Sequence, residues 1–114
     1  MIPFNNRFHG HSSLRYVYKN GQAIRSRSII LKTVANPHRK NSRVAVVISK
    51  KILKSAVGRN LIRRRVYEHI RSRMPYINGV HDIVIIVASG ELLTTPYQDV
   101  VDQLNQLFSQ TDIF

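Results

Sequence analysis

The stretch from Ala56 to Arg73, AVGRNLIRRRVYEHIRSR, constrains this chain more than any other. At about 100° per residue it reads as one helix with two different faces. Ile62, Val66 and Ile70 recur at every fourth position and form an apolar stripe that has to be buried. Asn60, Arg63, Arg64, Tyr67 and Arg71 fall together on the adjoining side. Ser55 stands in front as an N-cap, and Pro75 stops the helix after Met74. The arginines of this stretch meet a single carboxylate, Glu68. A basic helix face is often no more than a solvated one. A solvated face usually mixes signs, however, because like charges at i,i+4 repel. This face does not mix them, so its pattern suits a polyanion.

The charge of the whole chain repeats that bias. All 18 Lys and Arg lie at or before Arg73, and with Glu68 they give +17 over residues 1–73. Five carboxylates and no Lys or Arg follow, giving −5 over the remainder. Such asymmetry points to a nucleic acid on one surface, with the C-terminal segment facing elsewhere. A membrane-surface role fits less well, because the basic helix has no wide Trp- and Phe-rich apolar face. No apolar run approaches the ~18 residues that cross a bilayer, and MIPFNNRFHG has no signal-peptide core. The absence of cysteine excludes disulfides and thiolate metal sites and fits a reducing cytoplasm.

A length of 114 residues is expected to make one domain, 1–114, with residues 1–11 an irregular and mobile start. Ser12 or Ser13 caps a short helix over Leu14 to Lys19, closed by Asn20-Gly21. Ser28 to Val34 alternates as a strand, with Ile29, Leu31 and Thr33 opposite Ile30, Lys32 and Val34. Arg43 to Ser49 is a second strand, with Val44, Val46 and Ile48 opposite Ala45, Val47 and Ser49. The link from Asn36 to Ser42 is too short for a crossover helix, so an antiparallel pairing of the two strands is expected. Lys50 to Lys54 is a basic loop into the long helix. Asn78-Gly79 then turns the chain into Asp82 to Ala88, a continuous apolar run that reads as a strand buried on both faces. Thr95, Pro96 and Gln98 form a capping box for a last helix whose core stripe is Val100, Val101, Leu104, Leu107 and Phe108. The order is α-β-β-α-β-α, an α+β two-layer sandwich of helices on a mixed sheet.

Catalytic equipment is sparse. A nuclease working alone needs clustered carboxylates for metal ions or a histidine acid–base pair. Glu68, Asp82, Glu91, Asp99, Asp102 and Asp112 are scattered, and so are His9, His11, His38, His69 and His81. His9 and His11 have spacing for an adventitious metal, but a plain polar terminus is the simpler reading. His69, close to the apolar stripe, reads as a packing or phosphate-adjacent residue, and Gly58 stands alone without a phosphate-cradling loop. No catalytic or metal-ligating residue is therefore assigned.

Ser49-Lys50-Lys51, Ala56-Val57, Arg59-Asn60-Leu61-Ile62-Arg63-Arg64, Glu68 and Arg71 follow one another in an order that resembles the signature of the bacterial ribonuclease P protein subunit. One position departs from the family's Arg-Asn-Arg core, where Leu61 replaces the second arginine. The resemblance implies a small basic subunit that docks on a catalytic RNA and binds the 5′ leader of precursor tRNA. Hydrolysis and Mg²⁺ then belong to the RNA, one protein serves each RNA, and the site is cytoplasmic. Carried onto this sequence, Lys50, Lys51, Arg59, Asn60, Arg63, Arg64 and Arg71 match the RNA-contacting motif, and Lys54 and Tyr67 lie with them. The implied leader groove runs between the first helix and the sheet, past Leu14, Tyr18, Lys32, Arg43 and Ser49. Lys32 stands where the family often has an aromatic residue and Leu14 cannot stack, so this groove is expected to lean on charge. Tyr18 is the stacking candidate, the alternative being a core tyrosine with its hydroxyl at the surface. The resemblance also implies a left-handed crossover through the arginine helix, against the rule that about 98% of such crossovers are right-handed.

Two other readings share the charge: a ribosome-associated RNA-binding protein with a structural role, and a DNA-binding module. The latter is disfavoured because a strand and a basic loop, not a helix-turn-helix, precede the arginine helix.

Overall fold

In the computed structural model, residues 6–8 and 11–114 are described, apart from the side chain of His11. In chain order the elements are α1 (His11–Asn20), β1 (Gln22–Arg25), β2 (Ile29–Ala35), β3 (Arg43–Val47), α2 (Ala56–Arg73), β4 (His81–Val87) and α3 (Tyr97–Phe108). The strands form one mixed sheet in the order β1-β2-β4-β3, with β3 and β4 parallel and the other pairs antiparallel. This is the α+β arrangement of helices on a mixed sheet, with β1 added to the expected order. The parallel unit β3-α2-β4 is the one to which the expected left-handed crossover refers.

The antiparallel pairing of β2 with β3 does not form: β4 lies between them. β4 carries the one continuous apolar run, and an interior position covers it on both edges and both faces. The link between Ala35 and Arg43 has only to span two strand spacings, about 10 Å, well within the reach of its residues. Connection length fixed the relative direction of β2 and β3 without making them neighbours. β1, absent from the sequence reading, is a short edge strand exposed along most of its length, so no alternation announces it. Its pairing of Arg25 with Ile30 closes a tight hairpin through Ser26, whose amide donates to the Ile29 carbonyl at 2.9 Å.

The helix starts also differ in two places. α1 begins at His11, ahead of the serines expected to cap it, and the Ser13 hydroxyl is taken by Arg43 instead. No capping box precedes α3: the Thr95 hydroxyl donates backwards to the Glu91 carbonyl at 2.8 Å, and Pro96 caps without a side chain. A 3-10 turn at Gly90–Leu93 brings that carbonyl within reach. α2 begins as its sequence suggests, with Ser55 Oγ accepting from the Gly58 amide at 3.1 Å.

The sheet has two unlike faces. Ile29, Leu31, Val44, Val46, Ile83, Ile85 and Val87 meet the α2 stripe Ile62, Val66 and Ile70 and, from α3, Val100, Leu104, Leu107 and Phe108. Each such aliphatic side chain contributes about 1.5–3 kcal/mol by leaving water. Val101, expected in the stripe of α3, is only half-buried and is not part of this core. α1 lies across the opposite face, where Val17 and Val84 are buried outside the main cluster. A ten-residue helix is only about 15 Å long. It leaves Ile30, Lys32, Ala45, Val47 and Ile86 half-exposed beside it.

The irregular start expected for residues 1–11 falls largely outside the described residues, as does the pairing of His9 with His11. Within it, Asn6 Nδ2 donates to the Ser42 carbonyl at 2.7 Å and Arg7 bridges to Val44 in parallel sense. This segment therefore runs along the outer edge of β3.

Candidate nucleic-acid interface

The arginines of α2 divide into three groups with different duties. Arg65 and Arg73 turn towards α3, with His69 between them. Arg65 donates to the Thr95 carbonyl at 3.4 Å. Arg73 donates to Asn105 Oδ1 at 2.9 Å and stacks over the Phe114 ring at 4.2 Å. His69 Nε2 lies 2.9 Å from the same Asn105 oxygen, so it is a packing residue. Arg59 reaches back, and its Nη1 donates to the carbonyls of Leu53 and Lys54, both at 2.8 Å. It thereby fixes the basic loop to the helix start.

The third group faces solvent. Arg63 donates to Asn60 Oδ1 at 2.9 Å and Arg71 to Glu68 at 3.0 Å. The latter pair is half-exposed at both ends, and such pairs are worth ~0–1 kcal/mol. Arg64 is exposed with no partner among the described residues. Asn60, Arg63, Arg64, Tyr67 and Glu68 line a shallow concavity of about 450 Å³. Tyr67 forms its inner wall, where its hydroxyl accepts from the Val46 amide at 3.2 Å on the edge of β3 that no named strand covers. Ser49, Lys50, Lys51 and Lys54 are exposed between β3 and α2 and continue this cationic surface. Of the motif residues, Asn60, Arg63 and Arg64 thus share one concavity, and Arg59 is spent mainly on the loop.

On the other face, α1 covers part of the sheet and leaves a half-exposed strip beside it, where the resemblance implies the leader groove. Tyr18 is 37% exposed, and partial burial raises its phenol pKa above the ordinary value. Lys32 Nζ donates to the Tyr18 carbonyl at 3.0 Å and lies 5.3 Å from the centre of its ring. Leu14 is half-buried on the same flank, and Ser49 is exposed beyond the end of β3. Sequence reasoning missed the floor. Ile30 pairs with Ile86, and Ile86 with Val47, so these three half-exposed side chains are cross-strand neighbours. The strand alternation put Ile30 with Lys32 and Val47 with Ser49, but only the strand order joins the two sets.

Arg43 has a different setting from the rest of that groove. It is 5% exposed and its guanidinium grips Asp82 through two hydrogen bonds, 2.9 Å from Nε and 2.7 Å from Nη2. Nη1 donates to Ser13 Oγ at 3.1 Å, and the Phe8 ring stacks at 4.6 Å. Arg43 therefore does not border that groove: it lies on the Ser13 and Tyr16 flank of α1 and holds α1 and the 6–8 segment to β3 and β4.

Among the described residues, no three His, Cys, Asp or Glu side chains gather as a metal site. Glu68, Asp82 and Glu91 each lie beside an arginine. What the arrangement offers is a cationic helix face and a half-apolar groove with one tyrosine, which together suit an RNA backbone and unstacked bases.

Comparisons with known proteins point to one family. The profile of the family described as Ribonuclease P matches residues 2–112. A ribonuclease P protein component from Synechocystis sp. is 28% identical over 98% of this chain and 90% of its own length. Another, from Chloroflexus aurantiacus, is 32% identical over 84% of this chain and 70% of its own. Among solved structures, the RNase P protein of Staphylococcus aureus superposes with a TM-score of 0.85 at 22% identity, covering 96% of this chain and 97% of that one. The RNase P protein from Thermotoga maritima gives 0.80 at 23% identity, over 93% and 97% of the two chains.

Proposed function

This chain belongs to the ribonuclease P protein family, and on that premise we propose that it is the RNA-binding protein subunit of ribonuclease P. In this reading it docks on a catalytic RNA subunit, one protein to one RNA, and helps it remove the 5′ leader of precursor tRNA in the cytoplasm. The observation that carries the proposal is the solvent face of α2. Arg63, Arg64 and Arg71 stand there beside Lys50, Lys51 and Lys54, with a half-exposed ion pair to Glu68 as the one carboxylate contact among them. A surface of that kind draws in a polyanion and holds it by releasing counterions.

Leader binding is assigned to the other face, where Tyr18, Lys32, Leu14 and Ser49 border a floor of Ile30, Val47 and Ile86. One tyrosine supplies a stacking platform, Lys32 supplies charge, and the aliphatic floor accepts a base by its flat face. Mg²⁺ is assigned to the RNA subunit, where it supplies the metal-assisted hydrolysis. The protein contributes affinity and orientation.

The test is reconstitution. The protein without RNA is expected to leave precursor tRNA uncut, whereas its addition to the RNA subunit lowers the Mg²⁺ or substrate concentration needed for cleavage. Cleavage by metal-supplied, RNA-free protein at rates near those of the reconstituted particle would overturn the assignment of chemistry to the RNA.

A further inference from the structure

A cleft of about 510 Å³ opens on the flank of α1 that faces away from the Tyr18 groove. Its position follows from helix geometry. Val17 is fully buried against the sheet, and Tyr16 and Tyr18 project about 100° to either side of it. Tyr16, 54% exposed, lines the cleft together with Ser12, Ser13, His38 and Arg39. The link between β2 and β3 supplies the opposite wall, and Lys40 follows Arg39 on its exposed side. Asp82 is the one carboxylate in the lining, and it is spent. Its Oδ1 accepts from Arg43, and its Oδ2 accepts from Arg43 and, at 2.9 Å, from Asn36. Ser13 Oγ accepts from Arg43. The cleft therefore offers an aromatic face, hydroxyl groups and the Arg39 guanidinium, with exposed Lys40 next in sequence just outside its lining, and its one carboxylate is already paired with Arg43.

We infer that this cleft is a second contact for single-stranded RNA, with a base on Tyr16 and adjoining phosphates on Arg39 and Lys40. The inference rests on the reading of the chain as an RNA-binding subunit and adds a site to the α2 face and the Tyr18 groove. An aromatic ring beside a basic loop is the combination that holds unpaired nucleotides with little regard to sequence. An acidic peptide would satisfy the cations but would leave the tyrosine face without purpose.

The experiment uses the full chain and a fluorescent ten-nucleotide oligouridylate containing 4-thiouridine. Affinity is measured at several salt concentrations, and the photo-adducts are mapped by peptide. The Tyr18→Ala variant serves as background, so that the proposed leader groove does not mask the result. Adducts are expected on the peptide containing Tyr16. In that background Tyr16→Ala should weaken binding by about 5-fold or more, the fold-change that corresponds to the lower end of a base–aromatic stack. Tyr16→Phe should restore it. Arg39→Ala with Lys40→Ala should lower the salt slope by about 1.4, two single-strand phosphate contacts. The inference is overturned if the adducts are confined to α2 and the groove. It is equally overturned if Tyr16→Ala, folded as the parent by circular dichroism, leaves affinity unchanged, or if decaglutamate competes as well as the oligonucleotide does. Weakened binding in Arg63→Ala with Arg64→Ala, with the adducts at Tyr16 retained, would support a site separate from α2. A parent chain that binds no RNA would sink this inference and the proposed function together.

Discussion

The Arg43–Asp82 pair gives the sharpest test of what in this fold is support and what is contact. The two side chains are 6% and 1% exposed and meet at 2.7 Å. At an effective dielectric near 20, two unit charges 4 Å apart attract by about 4 kcal/mol. Desolvating two ions costs several kcal/mol each, so the pair as a whole is close to neutral for stability. Removing one partner is another matter. Asp82→Ala would leave a buried guanidinium facing Ser13 and the Phe8 ring, at a cost of about 3–5 kcal/mol. For a domain of this size 1 kcal/mol moves the melting temperature by about 4 °C, so a fall of roughly 12–20 °C is expected. The double variant Arg43→Met with Asp82→Leu should recover most of that loss, because no charge is stranded. Its assay is thermal and urea unfolding, followed by RNA affinity at several salt concentrations. If Arg43 acts only by pinning α1 and the 6–8 segment to the sheet, the refolded double variant keeps the parent salt slope. A slope reduced by about one contact in a fully stable double variant would put Arg43 on the RNA itself. An Asp82→Ala variant less than ~1 kcal/mol weaker than the parent would refute the burial argument altogether.

Two further outcomes follow from the division of labour on α2 and α1. Arg63→Ala with Arg64→Ala should leave unfolding within about ±0.5 kcal/mol while clearly weakening assembly with the RNA subunit, whereas Arg65→Ala with Arg73→Ala should lower unfolding stability and weaken assembly less than the first pair does; filter binding and thermal melts on both pairs decide it. In the reconstituted particle, Tyr18→Ala should cost ~1–3 kcal/mol in affinity for long-leader precursors, and Lys32→Ala should instead reduce the salt slope by about 0.7, with neither effect for a one-nucleotide leader; equal losses on both substrates would move the leader elsewhere.

Local chemistry in this chain was legible wherever a residue's neighbours in sequence are also its neighbours in space. α2 runs from Ala56 to Arg73 behind Ser55, as its cap and stripe require, and Ile62, Val66 and Ile70 are the residues it buries. The continuous run in β4 announced burial on both faces. Strand order was not legible, because the link before Arg43 constrains direction and reach but not which strand lies next door. The same gap hid the groove floor, since Ile30, Ile86 and Val47 come from three strands. Arg43 shows the converse: its position on the first-helix face was readable from alternation, yet its burial depends on Asp82, thirty-nine residues away. The capping box failed for a similar reason, because Glu91 offers its carbonyl to Thr95 only once the preceding turn has formed.

The way α2 is anchored bears directly on what its outer face can do. A helix carrying this much charge needs partners on its packed side, and the simplest ones would be carboxylates. The contacts described are otherwise. Arg59 is held by two backbone carbonyls, Arg65 by the Thr95 carbonyl, and Arg73 by an amide oxygen and an aromatic ring. These neutral acceptors satisfy the donors and position the helix while leaving its charge intact. Asp99 and Asp102 of α3 are exposed, and none of the α2 arginines bonds to them. Had Asn105 been an aspartate, it would have gripped Arg73 and His69 at least as firmly, and it would also have subtracted from the field that the outer arginines present. A surface meant to meet phosphates gains from the amide, since long-range attraction sums over every uncompensated charge, including those that never touch the ligand. Arg65 and Arg73 thus serve the proposed RNA-facing side through their charge while their geometry serves the core.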